Sequence, residues 1–172
     1  IQLQVNHLAP FLLTALSQPP PDRSSGRVVV LASEAHRRAQ LDLSALHLER
    51  PRYKVDLSYS QPKSPNVMFT YVVSRRWLKR ISVNAVHPGV ASTRLLGSIL
   101  GPLRPLRPFF RSVEAGAAPV VRLAEDPSLS GVSGSYYRRF DAVKSSATSY
   151  DKLLQQSLWE ASEELVGEHF PE

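Results

Sequence analysis

The stretch LSYSQPKSPNVMFTYVVSRRWL, residues 57–78, decides how this chain is read. It sets Tyr59 and Lys63 four residues apart, and on a helix that spacing stacks both side chains on one face. A phenol ionises near pH 10, so using it as a proton donor and acceptor near neutrality requires a shift of roughly 3 units, or about 4 kcal/mol. An ammonium about 4 Å away supplies energy of that order at intermediate dielectric. Tyr-x-x-x-Lys is therefore a workable acid/base unit. Chance pairs of this kind are common, so its weight depends on the flanking sequence.

Working outward, RVVVLAS (Arg27 to Ser33) is short and β-branched, and reads as a strand buried on both faces, as in a parallel sheet. ISVNAV (Ile81 to Val86) reads as a second such strand, cut off sharply by Pro88-Gly89 in HPGVAST. SGVSGSYYRRF gives a third, shorter strand around Ser135 to Phe140. Between them fall helical patterns. Residues 1–16 carry apolar groups at Val5, Leu8, Phe11, Leu12, Ala15 and Leu16. A second helix spans 58–78, a third runs from Val113 to Glu125 with Pro119 inside it, and a last runs from Tyr150 to Val166. For that last helix Ser149 serves as N-cap and Gly167 as the stop. Strands alternating with helices predict an α/β, Rossmann-like parallel sheet with right-handed crossovers and a site at the carboxyl ends of the strands. About three strands are few for such a sheet.

The 172 residues are 42% hydrophobic and contain no cysteine, consistent with one globular domain and excluding disulfide, thiolate or cysteine-ligated zinc chemistry. No apolar run reaches the roughly 20 residues of a spanning helix, so no transmembrane segment is expected and the compartment is cytoplasmic or unknown. The net charge of +6 comes from scattered arginines without interleaved aromatics, which reads as a solvated surface and not as a nucleic-acid interface. His36 and His87 share no ligand spacing with the other histidines, so no metal is expected.

Six blocks in order, NHLAPFLLT, LASEAH, LSYSQPKSPNVMFT, VNAVHPGVAST, EDPSLSGVSGSYY and SLWEASEELVG, resemble the short-chain dehydrogenase/reductase family, most of all its retinol-dehydrogenase-like and WW-domain-oxidoreductase-like members. The resemblance implies a catalytic tetrad of Asn6, Ser33, Tyr59 and Lys63. It gives Tyr59 proton exchange with the substrate oxygen, Ser33 the orientation of that oxygen, and Asn6 a water linking Lys63 to solvent. Lys63 would lower the phenol pKa and, with Tyr59, hold the cofactor. Pro88, Gly89, Val90 and Thr93 match the segment that packs on the nicotinamide end. The implied cofactor is NAD or NADP in the complete protein, and the implied substrate a small apolar alcohol or carbonyl, the latter from the apolar, arginine-dotted loop 95–111. That loop also motivates a weaker expectation of membrane-surface contact. Helices 1–16 and 58–78 correspond to a pair that many members use to form a homodimer.

Three departures accompany the likeness. None of the eight glycines forms the glycine-rich turn that receives a pyrophosphate at a helix N-terminus. Residues 1–172 thus read as the carboxyl-terminal catalytic part of a domain whose nucleotide-binding half is missing. Pro62 and Pro65 fall in the catalytic helix, and Pro65 is expected to remove a backbone bond, an interior proline costing about 3 kcal/mol. Ala9, followed by Pro10, replaces a family glycine. A second reading follows: an inactive module acting through protein contacts, with an open sheet edge.

Overall fold

The computed structural model describes residues 3–17, 26–38, 63–77, 81–90 and 111–170. Strand β1 (Gly26–Leu31) and strand β2 (Ile81–His87) pair in parallel, with Val28 opposite Val83 and Val30 opposite Ala85. Residues 81–86 are all buried, as a β-branched strand covered on both faces requires. Strand β3 (Tyr136–Arg138) continues the parallel sheet beside β2, and strand β4 (Asp141–Ala142) folds back antiparallel on β3. The order is β1-β2-β3-β4. The expected three strands are present, and the fourth, two residues long, is too short to carry an alternation pattern.

One face of the sheet is covered by helices α1 (Ala9–Leu16), α2 (Lys63–Arg76) and, further along the chain, α4 (Lys152–Val166). Their shared core is aromatic: Phe11 lies 5.0 Å from Trp159, which lies 4.5 Å from Phe170, ring centre to ring centre. Helix α3 (Val113–Glu125) covers the other face, burying Leu123 with Val86 and Tyr137. The Arg27 guanidinium ties β1 to the end of α3 by donating to the Leu123 and Asp126 carbonyls at 3.1 and 2.8 Å. Pro119 does lie inside α3, buried.

Two expectations are corrected. The described part of α2 runs from Lys63 with Pro65 buried in it, and the residues before Lys63, Pro62 among them, lie outside the described residues. The cap of α4 is Asp151, whose carboxylate accepts from the N–H groups of Leu153 and Leu154, while residues 147–150 form a separate 3₁₀ turn that includes Ser149. The first helix is not uniform: a π turn (Gln4–Leu8) precedes α1. In α2, every residue from 65 to 74 is buried within the chain. In α1, Leu13 and Leu16 are exposed, as is Val5 in the preceding turn. Among the described residues no helix is long and apolar enough to cross a membrane.

Gly134 joins these layers, because a Cβ there would stand 2.9 Å from the Ser74 hydroxyl oxygen on α2 and its φ is +72°. Gly134→Ala is expected to destabilise the chain by at least about 1 kcal/mol in urea unfolding. Adding Ser74→Ala should relieve the crowding and leave the backbone strain, so recovery is partial.

Candidate active site

Ser33 leaves the sheet immediately after the Ala32 N–H makes its bond to the Val86 carbonyl, and opens a 3₁₀ turn over Glu34–Arg38. Its hydroxyl oxygen accepts from the Ala35 N–H at 3.2 Å, leaving the hydroxyl proton available for donation. Its carbonyl accepts from the His36 N–H at 3.0 Å and from His36 Nδ1 at 2.6 Å. Since His36 Nε2 accepts from the Ser146 N–H at 3.0 Å, the ring is the neutral Nδ1–H tautomer. Burial keeps its pKa below the ordinary histidine value.

The same turn is clamped from the carboxyl-terminal side. Arg37 donates to the Glu34 carboxylate at 3.0 Å, to the Ser145 carbonyl at 3.3 Å, and to the Lys144 carbonyl. The Tyr136 hydroxyl donates to the other Glu34 oxygen at 2.8 Å. Burial opposes ionisation of Glu34, yet the Tyr136 and Arg37 bonds outweigh it and hold the carboxyl below its usual range. Burial pushes the Tyr136 phenol up, and the carboxylate beside it adds to that. Ser33 therefore stands on a turn fixed from three sides.

Asn6 stands in the π turn, and sequence explains the turn. An α-helix would give the Asn6 carbonyl a donor from residue 10, but Pro10 has no N–H. The Ala9 N–H instead reaches the Gln4 carbonyl. The Asn6 carbonyl is taken by Asn66 of α2, whose Nδ2 donates to it at 2.8 Å and to the Leu31 carbonyl of β1 at 3.1 Å. With both amide hydrogens so used, Asn66 Oδ1 faces His7 Nδ1 at 3.3 Å and can only accept. His7 Nδ1 faces that oxygen as a donor, and its Nε2 lies 2.9 Å from the Ser162 hydroxyl of α4, whose oxygen also stands 2.7 Å from the Leu158 carbonyl.

β1 and β2 end side by side, Leu31 opposite Val86, so Ser33 and the segment Pro88, Gly89 and Val90 leave the same end of the sheet. Gly89 has φ +93°, a conformation that permits this turn and strains any side chain. His87 lies between them, its pKa lowered mainly by burial and raised in part by Glu34. Of the sequence-derived site, Asn6, Ser33, Pro88, Gly89 and Val90 are placed, and Lys63 begins α2. Tyr59, Thr93, Pro62, loop 95–110 and the Lys63 side chain lie outside the described residues. Asn66, His7 and His36 were not singled out by sequence reasoning as parts of the site. Pro10, four residues after Asn6 and without an N–H, is the sequence signal for a carbonyl that makes no i+4 bond. Among the described residues no group of three or more His, Cys, Asp or Glu could hold a metal ion.

No family model matches the chain. It is 36% identical over 181 residues to a WW domain-containing oxidoreductase of Drosophila melanogaster, covering 96% of this chain and 42% of that protein. It is 35% identical over 187 residues to retinol dehydrogenase 13 of Homo sapiens, covering 99% of this chain and 55% of that protein. Its fold matches a short chain dehydrogenase of Salmonella enterica with a TM-score of 0.63 at 18% identity, covering 81% of this chain and 51% of that one. The chain spans about half the length of the curated relatives it matches.

Burial lowers the His7 pKa from 6.5 to about 4, against the opposing bond to Asn66. The unfolded chain takes up this proton near pH 6.5 and the folded chain resists it, so the stabilisation is complete above pH 6.5 and is lost as pH falls towards 4. The loss expected in urea unfolding between pH 7 and pH 4 is about 3 kcal/mol. In His7→Gln it should shrink, and an unchanged pH dependence in that variant would show that His7 is not its source.

Proposed function

Because this chain is a relative of the short-chain dehydrogenases/reductases over about half their length, we propose that it is the catalytic, carboxyl-terminal part of an NAD(P)-dependent oxidoreductase that interconverts alcohols and carbonyls. The observation that supports this best is the pairing of Leu31 with Val86, which delivers Ser33 and Pro88-Gly89-Val90 side by side at the carboxyl ends of parallel strands. When bound, the nicotinamide supplies the hydride. Gly89, with its positive φ and bare backbone, suits close approach of a flat ring. None of the described residues offers a cradle for the pyrophosphate.

In this reading Ser33 donates its free hydroxyl proton to the substrate oxygen and holds it in place, as the Ala35 bond leaves it able to do. Tyr59 passes a proton to or from that oxygen. Lys63 lowers the Tyr59 pKa and, with Tyr59, holds the ribose end of the cofactor. Asn6 keeps a water between Lys63 and solvent, and Thr93 joins Pro88, Gly89 and Val90 at the nicotinamide end. The relative named for retinol supports an apolar substrate. If the chain forms a homodimer, the exposed Val5, Leu13 and Leu16 are the apolar groups at hand.

A second reading, an inactive module held by protein contacts, is favoured by β1 standing at the sheet edge among the described residues. Titration with NADH and NADPH separates the two. The oxidoreductase reading expects saturable binding and reduction of a hydrophobic ketone. In a complete protein carrying this chain it further expects Tyr59→Phe to cut turnover by about 100-fold or more while leaving the cofactor Kd unchanged. Absence of binding to either cofactor supports the module.

A further inference from the structure

Resting on the oxidoreductase reading, we infer that Asn66 is a positioning residue that locks three separately encoded parts of the site to one another. It lies three residues after Lys63 on α2. One of its amide hydrogens holds the carbonyl of Asn6 itself, and the other holds the carbonyl of Leu31, two residues before Ser33. A single planar group thereby sets the distances among the helix of Lys63, the turn of Asn6 and the strand end that carries Ser33.

The residue type is dictated by the chemistry. Pro10 has no N–H to give the Asn6 carbonyl an i+4 bond, and Leu31 ends an edge strand whose carbonyl has no ladder partner on that side among the described residues. Both sit against a side chain only 3% exposed, where an unpaired carbonyl costs free energy. Two acceptors need two donors from one group. An aspartate supplies none, and a serine only one. Turned over, the amide would set its oxygen against two carbonyl oxygens that can only accept, so the orientation is fixed by the carbonyls themselves. Its Oδ1 then faces His7 Nδ1 at 3.3 Å, which extends the link to the ring in the turn before α1.

The test has two independent arms. In the unmodified chain, ¹⁵N spectra of the His7 ring should show the Nδ1–H tautomer, and an Nε2–H tautomer overturns the assignment without any variant. Asn66→Asp and Asn66→Ala are then compared with Asn66→Gln, which keeps both donors. In those that remain folded by urea titration, exchange of the Leu8, Ala9, Ala32 and Ser33 amides should accelerate at least tenfold, with exchange at Val72 and Val73 unchanged. Reduction of a hydrophobic ketone by NADPH should show kcat down at least tenfold with KM within threefold, and Gln should restore part of it. A folded variant with normal exchange, or with kcat within twofold of the unmodified chain, sinks the inference. If the unmodified chain turns nothing over, the kinetic arm is run on a complete protein carrying it; inactivity there ends the oxidoreductase reading, while tautomer and exchange still decide the role of Asn66.

Discussion

Enclosure of α2 from residue 65 to residue 74 is the constraint on which the rest of the fold depends. Two parallel strands joined by a single crossover must cover the sheet with the intervening helix, and α2 is further covered by α4, so residues 65–74 all lie out of water. A helix buried all round cannot leave polar side chains unanswered. Thr70 donates to the Asn66 carbonyl at 2.8 Å, Ser74 donates to the Tyr71 carbonyl at 2.9 Å, and Asn66 answers two carbonyls on other elements. The first two are local repairs. The third turns a solvation requirement into a link between distant parts of the chain.

The sheet was legible in the sequence because β-branched runs buried on both faces leave a compositional mark, as in Arg27 to Ser33 and Ile81 to Val86. Ends and short pieces were less legible, since they are settled by competition between neighbours. Ser149 and Asp151 are both good caps, and Asp151 prevails because its carboxylate reaches two N–H groups, while Ser149 is drawn into a buried pair with Ser145. A strand of two residues, β4, has no pattern to read.

The site divides along the same line. Asn6 and Ser33 were reached through family likeness, and the structure adds what holds each: the Asn66 amide holds the Asn6 carbonyl, and a histidine and an arginine pin the Ser33 turn. His7 and Asn66 escaped notice because a polar residue inside a helical pattern usually reads as surface. Burial reverses that meaning, and burial is a tertiary fact. The basic character of the chain is reinterpreted likewise. Arg27, Arg37 and Arg76 have specific work inside the fold, on α3 carbonyls, on the Ser33 turn, and 4.2 Å above the Trp159 ring.

That last contact has an optical consequence. Both indoles of the chain, Trp77 and Trp159, belong to the aromatic core between α1, α2 and α4, each about 2% exposed, and Trp159 carries a guanidinium over one face. Phe170, beyond the end of α4, packs against both of them. Intrinsic emission from this protein is therefore a gauge of whether its carboxyl-terminal helix is seated. Neither chromophore adjoins Ser33 or Gly89, so the light reports on the scaffold and is blind to the strand ends where the chemistry is placed.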